Sequence, residues 1–285
     1  MAQNNKQLDH NKRRRGFERS ASGYDAAAVL QNEIGTRLLQ RLDYIKLRPQ
    51  RWLDLGSGTG YITKHLMKKY SKSEFHAVDI AFNMAKKTLQ HQSWRRKLHV
   101  ACAAAEDLPY RDDSFDLVIS NLMLQWCDDL VATFTGINRV LVPEGCFMFA
   151  SFGTDTMVEL RESWKAVDHY DHTHEFVDIH DVGDALMTAG FQQPVLDMEK
   201  ITLTYPSLAA MFRDIKTIGA TNASLRRNKG LTGKGAFKKL EIAYEAFRTE
   251  EGLYPLTYEV VYGQGWGQTG VSYHGRPIIP IKPVS

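Results

Sequence analysis

The segment Asp54-Leu55-Gly56-Ser57-Gly58-Thr59-Gly60 constrains this chain more than any other stretch. It ends an apolar run, Arg51-Trp52-Leu53-Asp54-Leu55, that reads as a buried strand, and it leads into a helix over about 59–70. Glycines at alternate positions let the backbone turn tightly off a strand end and approach a ligand closely. The amides of such a turn, together with the helix N-terminus, can bind an anionic group. A glycine turn alone is a weak signal. Here a second strand, 74–80, follows and closes at Asp79 and Ile80, where an acidic residue can accept both hydroxyls of a ribose.

The turn also separates two nucleoside cofactors. The dinucleotide fingerprint is G-x-G-x-x-G, whereas this turn is G-x-G-x-G with Asp54 ahead of it. S-adenosylmethionine has no pyrophosphate and carries an amino acid instead. Asp54 is placed to influence its ammonium end, directly or through water, while Gly56, Ser57, Gly58 and Gly60 accommodate the rest. S-adenosylmethionine is therefore the expected cofactor, and NAD is set aside.

Apolar strands and helical stretches alternate through residue 151, with further strands at 98–101, 115–120 and 145–151. The pattern predicts an α/β fold with a parallel sheet covered on both faces; together with the glycine turn it resembles the class I methyltransferases, which implies a Rossmann-like, seven-stranded, mostly parallel sheet. A helix over 24–42 precedes it. The last two strands are expected at 195–204 and 257–262, with helical patterning near 207–219 and 235–248 between them. That insertion, about 205–250, would cap the active site. The expected organisation is a flexible basic arm over 1–16, one cofactor-binding domain over 17–268 and a flexible tail over 269–285.

Composition narrows the classes further. No run of about 18 apolar residues exists, so no membrane span is expected, and the polar start of the chain shows no secretory signal. Cys102, Cys127 and Cys146 fit neither a disulfide framework nor a zinc site and read as small buried thiols, which points to the reducing cytoplasm. A net charge of +3 is too small to imply nucleic acid. The basic residues nevertheless cluster, at Lys12–Arg15, at Arg226-Arg227-Asn228-Lys229 and around Lys234.

Two more segments belong to the cofactor reading. Ala103-Ala104-Ala105-Glu106-Asp107-Leu108-Pro109-Tyr110 resembles the class I methyltransferase segment that holds adenine. An aspartate commonly stands there where this chain has Ala104, which leaves backbone amides near Ala105 and Glu106 for the contact. Asn121, just past the fourth strand, faces the ligand crevice. Its neighbours Leu122, Met123 and Trp126 read as core.

Later segments resemble a narrower family. These are Phe152-Gly153-Thr154-Asp155-Thr156, Glu175-Phe176-Val177-Asp178, Arg213-Asp214-Ile215-Lys216, Gly230-Leu231-Thr232-Gly233 and Thr257-Tyr258-Glu259-Val260-Val261-Tyr262. They are similar to the malonyl-[acyl-carrier protein] O-methyltransferases of biotin synthesis, over residues 10–266. The resemblance implies methylation of a free malonyl carboxylate, giving an ester that fatty-acid synthesis accepts as an apolar primer for the pimeloyl chain. A carboxylate with an ordinary pKa of about 4 is already ionised at pH 7, so the protein has chiefly to position it.

Candidates for that task are Tyr24, in an N-terminal segment resembling one that folds over the cofactor, and Arg213 and Lys216 on the insertion. The basic residues Arg226, Arg227, Lys229 and Lys234, with Arg13–Arg15, would dock the acidic carrier protein. The cluster Asp168, His169, Asp171, His172, His174, Asp178, His180 and Asp181 matches no metal motif and reads as a polar loop and helix cap; no metal is expected. The alternatives are an arginine hydroxylase of the complex I assembly type, another small-molecule carboxyl methyltransferase, or a scaffold that has lost turnover.

Overall fold

The computed structural model describes residues 8–173, 175–218, 222–227, 230, 233–268, 272, 273, 276 and 277. Three helices open the chain, α1 (His10–Ser20), α2 (Tyr24–Ala27) and α3 (Val29–Leu42). Next come β1 (Arg51–Leu55), α4 (Tyr61–Lys69), β2 (Glu74–Asp79), α5 (Phe82–Leu89), β3 (Leu98–Cys102), β4 (Phe115–Asn121), α6 (Leu130–Val140) and β5 (Leu141–Phe152). Helices α7 (Val158–Lys165) and α8 (Ile179–Thr188) lead to β6 (Gln192–Tyr205), and α9 (Leu208–Thr217) and α10 (Lys234–Tyr244) separate β6 from β7 (Tyr254–Trp266). Beyond them β8 (Ser272–Tyr273) pairs antiparallel with β9 (Arg276–Pro277).

Seven strands form one sheet in the order β3-β2-β1-β4-β5-β7-β6. β1 to β5 pair in parallel, and β7 runs antiparallel to both of its neighbours. Alternate residues serve opposite faces. Trp52, Leu117, Ile119 and Met148 pack under α3, α4, α7 and α10, while Leu53, Leu55, Val118, Phe147 and Phe149 pack under α6 and α8. Burial on both faces is why the central strands read as unbroken apolar runs. The order reverses between β1 and β4, so the crevice beyond their carboxyl ends is where a ligand belongs.

The expected sheet, its antiparallel last strand and the helices before that strand are all present. One continuous helix over 24–42 is not, because Ala28 (φ −79°, ψ 38°) leaves helical geometry and divides α2 from α3. Helix α7 had no expectation attached to it.

The flexible arm over 1–16 needs correction from residue 8 onward. Asp9 caps α1 by accepting the Lys12 N–H at 2.9 Å, and its own N–H donates to the Ala223 carbonyl at 2.9 Å. Glu18 then accepts the N–H groups of Phe82 (2.6 Å) and Asn83 (2.9 Å) at the start of α5, whose N-cap Ala81 has no side-chain acceptor of its own. A carboxylate at those orphan donors also meets the positive end of the helix dipole. The segment is therefore pinned at both ends. The expected tail, apart from β8 and β9, lies outside the described residues.

Of the cysteines, Cys127 and Cys146 are buried, and desolvation pushes both thiols up to about 12. Cys102 is exposed at the end of β3, contrary to the buried position expected.

Candidate active site

The glycine turn takes its shape from three left-handed residues, Gly56, Gly58 and Gly60, with φ of 76°, 56° and 90°. It is braced from several sides. The Gly56 and Ser57 amides donate to the Val78 carbonyl at 2.8 and 3.0 Å, tying the turn to β2. Thr88 of α5 donates its hydroxyl to the Gly58 carbonyl at 2.8 Å. Asp54 lies behind the turn at 1% exposure, where Oδ2 accepts the Thr63 N–H (2.9 Å) and hydroxyl (2.6 Å). Desolvation raises its carboxyl to about 7, against the opposing pull of those two bonds. Asp79 accepts the Gly58 N–H at 2.8 Å and the Ala81 N–H at 2.8 Å. Burial lifts its carboxyl to about 6, so it remains mostly ionised at pH 7.

A cavity of about 620 Å³ opens beside this turn. Gly56, Gly58, Asp79, Ile80, Ala105, Glu106 and Asn121 line it together, and so does Tyr24. Asp54, Ser57 and Gly60 do not; they support the turn from behind. Leu122, Met123 and Trp126, read as core, also form part of the wall. Two lining groups are short of partners. Asn121 donates Nδ2 to the Gln31 carbonyl at 3.0 Å, but its buried Oδ1 has no acceptor role filled. Arg13, 6% exposed, bonds the Trp126 carbonyl and lies 3.8 Å from Glu106, while its buried Nε is unpartnered. Buried polar groups left in this way are costly unless a ligand completes them.

A second cavity, of about 1170 Å³, adjoins the first. The two share Phe17, Tyr24, Leu122 and Trp126, and the Phe17 and Trp126 rings meet edge to face at 5.3 Å. α9 contributes Phe212, Ile215 and Lys216 to this lining, and His172, Thr173, Asn222, Gln31 and Gln125 add polar groups. Among the described residues, no lining side chain is a carboxylate. Tyr24 is half-buried; desolvation first, then the neighbouring Asp79 and Asp25 charges, push its phenol above the usual range and keep it protonated. A protonated phenol at the shared wall can donate into either chamber.

The methyltransferase-domain family matches residues 53–149 of the chain. A malonyl-[acyl-carrier protein] O-methyltransferase of Halorhodospira halophila is 47% identical over 258 residues, which span 90% of this chain and 88% of that protein. The chain belongs to the malonyl-[acyl-carrier protein] O-methyltransferase family. A member from Gallionella capsiferriformans is 46% identical over 265 residues, covering 91% of each chain. Among solved structures, a putative methyltransferase of Bacillus halodurans superposes with a TM-score of 0.59 at 14% identity, over 82% of this chain and 99% of that one, a likeness of fold.

Two expectations need correction. Arg213 is exposed and does not line the cavity, because residues 212, 215 and 216 occupy the inward side of α9. Arg13, grouped with the docking residues, is buried in the wall of the first cavity. Sequence reasoning also missed Phe17 and His172. Phe17 lies in the segment whose resemblance singled out only Tyr24, and His172 in a polar loop whose burial no periodicity reveals. Asp178 does cap α8, accepting the His180 N–H at 2.8 Å.

The docking residues fare unevenly. Arg226 and Lys234 are exposed. Arg227 is held against Asp9, Nη2 to Oδ2 3.0 Å, and Lys229 lies outside the described residues. Among the described residues, no helix is long and apolar enough to cross a membrane.

Proposed function

We propose that the protein transfers a methyl group from S-adenosylmethionine to the free carboxylate of malonyl-acyl-carrier protein, in the cytoplasm. The observation that carries this reading is the pair of cavities meeting at Tyr24, Phe17, Leu122 and Trp126, one beside a nucleoside turn and one without a carboxylate among its described lining. S-adenosylmethionine supplies an electrophilic methyl group that needs no further activation.

The first cavity has groups for each part of that molecule. Asp79 takes the ribose hydroxyls, the backbone at Ala105 and Glu106 takes the adenine edge, and Ile80 and Met84 take its faces. A zwitterionic amino acid would complete both unpartnered groups, its ammonium at Asn121 Oδ1 and its carboxylate at Arg13 Nε. Arg213 has no part in this scheme. Tyr24 and Lys216 donate to the substrate side, and Phe17 and Trp126 keep water from the shared wall. Holding an ionised oxygen in line at attack distance is worth roughly 7–11 kcal/mol, and no proton has to move. A guanidinium substrate would want carboxylates around it, which argues against arginine hydroxylation. Arg226 and Lys234 are the exposed cations offered to an acidic carrier protein.

Purified protein incubated with labelled methyl donor should form a base-labile methyl ester on malonyl-carrier protein and none on acetyl-carrier protein. Label on neither substrate would sink the reading.

A further inference from the structure

We propose that His172, backed by Asp168, is the group that receives the substrate carboxylate in the second cavity; this rests on the methyltransferase reading above. The ring is fixed before any ligand arrives. It lies flat on Trp164, with centroids 3.5 Å apart and planes within 1°. Its Nε2 is 2.7 Å from Asp168 Oδ1, and the same oxygen accepts the Tyr170 N–H at 3.0 Å. The two side chains are 12% and 25% exposed.

The pair is also directional. His172 lines both the second cavity and a neighbouring hollow, whereas Asp168 lines only that hollow. With Nε2 committed to Asp168, Nδ1 is the nitrogen left to meet a ligand. A substrate carboxylate arriving at Nδ1 would bind the ring with a proton on each nitrogen, Nε2–H on Asp168 and Nδ1–H on the substrate, with the indole beneath. The cavity therefore presents one ring already held in place, in a lining with no described carboxylate to compete for it. Lys216 also lines that cavity but is exposed on a flexible chain, so it must give up rotamer freedom to serve. A preorganised donor loses less on binding.

The test is one of discrimination between two ligands that differ by the carboxylate. Affinities of malonyl- and acetyl-carrier protein are measured by calorimetry for the wild type, His172→Phe and Asp168→Asn. His172→Phe keeps a ring on Trp164 and removes both nitrogens. It should lose about tenfold or more in affinity for the malonyl form, since hydrogen bonds to charged groups are among the stronger ones. Affinity for the acetyl form should be unchanged. Asp168→Asn should move the same way by a smaller factor, and it decides the matter should His172→Phe fail to fold. Unaltered discrimination in the folded variants overturns the assignment while leaving the methyltransferase reading standing. A wild-type protein that forms no methyl ester overturns the reading and the assignment together.

Discussion

Gly56 and Gly58 look alike in sequence, but their surroundings predict different consequences for an added methyl group. Both are left-handed, with φ of 76° and 56°, so Gly→Ala carries a backbone cost of roughly 1–2 kcal/mol at either position. At Gly58, which lines the first cavity, an added Cβ meets nothing within 4 Å. At Gly56 it falls on the Met123 side chain, 2.5 Å from its Cβ. Overpacking of that kind adds roughly 1–3 kcal/mol. Gly56→Ala should therefore be less stable than Gly58→Ala by about 1–3 kcal/mol, a separation of several tenths of a molar to about 1 M in the urea midpoint. Cofactor affinity should respond in another proportion. The methyl at Gly58 occupies ligand space, so calorimetry should show S-adenosylmethionine binding weakened by about tenfold or more, although the fold loses little. Coincident urea midpoints for the two variants, or wild-type affinity in Gly58→Ala, would refute the assignment of the turn to the cofactor wall.

Three further outcomes follow from the site. Asp54 has its carboxyl raised from 3.8 to about 7 by burial, so its protonated form favours the fold. That contribution is fully present below about pH 4 and is lost as pH rises through 7, a displacement worth on the order of 4 kcal/mol. The ligand-free protein should lose stability between about pH 4 and 7 in chemical denaturation, and Asp54→Asn should flatten much of that slope; an unchanged slope refutes the account. Tyr24→Phe removes a donor at the wall between the cavities and should lower kcat about tenfold, with cofactor affinity within about twofold of wild type. Charge reversal at Arg226 and Lys234 should raise KM for malonyl-carrier protein by about fivefold, spare a small malonyl thioester, and shrink with added salt. Equal effects on both substrates would remove these residues from docking. Arg227 is unsuited to that test, since a glutamate there would face Asp9 and loosen α1.

The parts of the fold legible in the sequence are those set by local chemistry. Apolar strands buried on both faces, glycines needing positive φ, and an acid ending β2 leave signatures a few residues long. They located the sheet and the turn beside which the first cavity opens. The illegible parts depend on long-range partners. Nothing local at Glu18 says that its carboxylate caps a helix 64 residues later, and this contact helps turn an expected arm into a wall. Arg13 sits in a basic run that reads as a solvated surface, yet the Trp126 carbonyl and Glu106 take it inside. Arg213 and Lys216 share a helix, but only packing decides which one turns inward. Asp54 is a different case: its position behind the turn is plain from the motif, whereas its bonds to Thr63 through Oδ2 are set by the following helix and leave no mark in the motif itself.

Because α1 supplies Phe17 to both chambers and is stitched to the insertion through Asp9 and Ala223, neither chamber can be opened there independently of the other. Swinging that helix aside to admit or release a nucleoside also strips a side from the room where the acyl group sits. Exchange of the spent donor and departure of the esterified carrier should thus be kinetically linked, and a truncation that removes α1 should cripple affinity for both ligands at once.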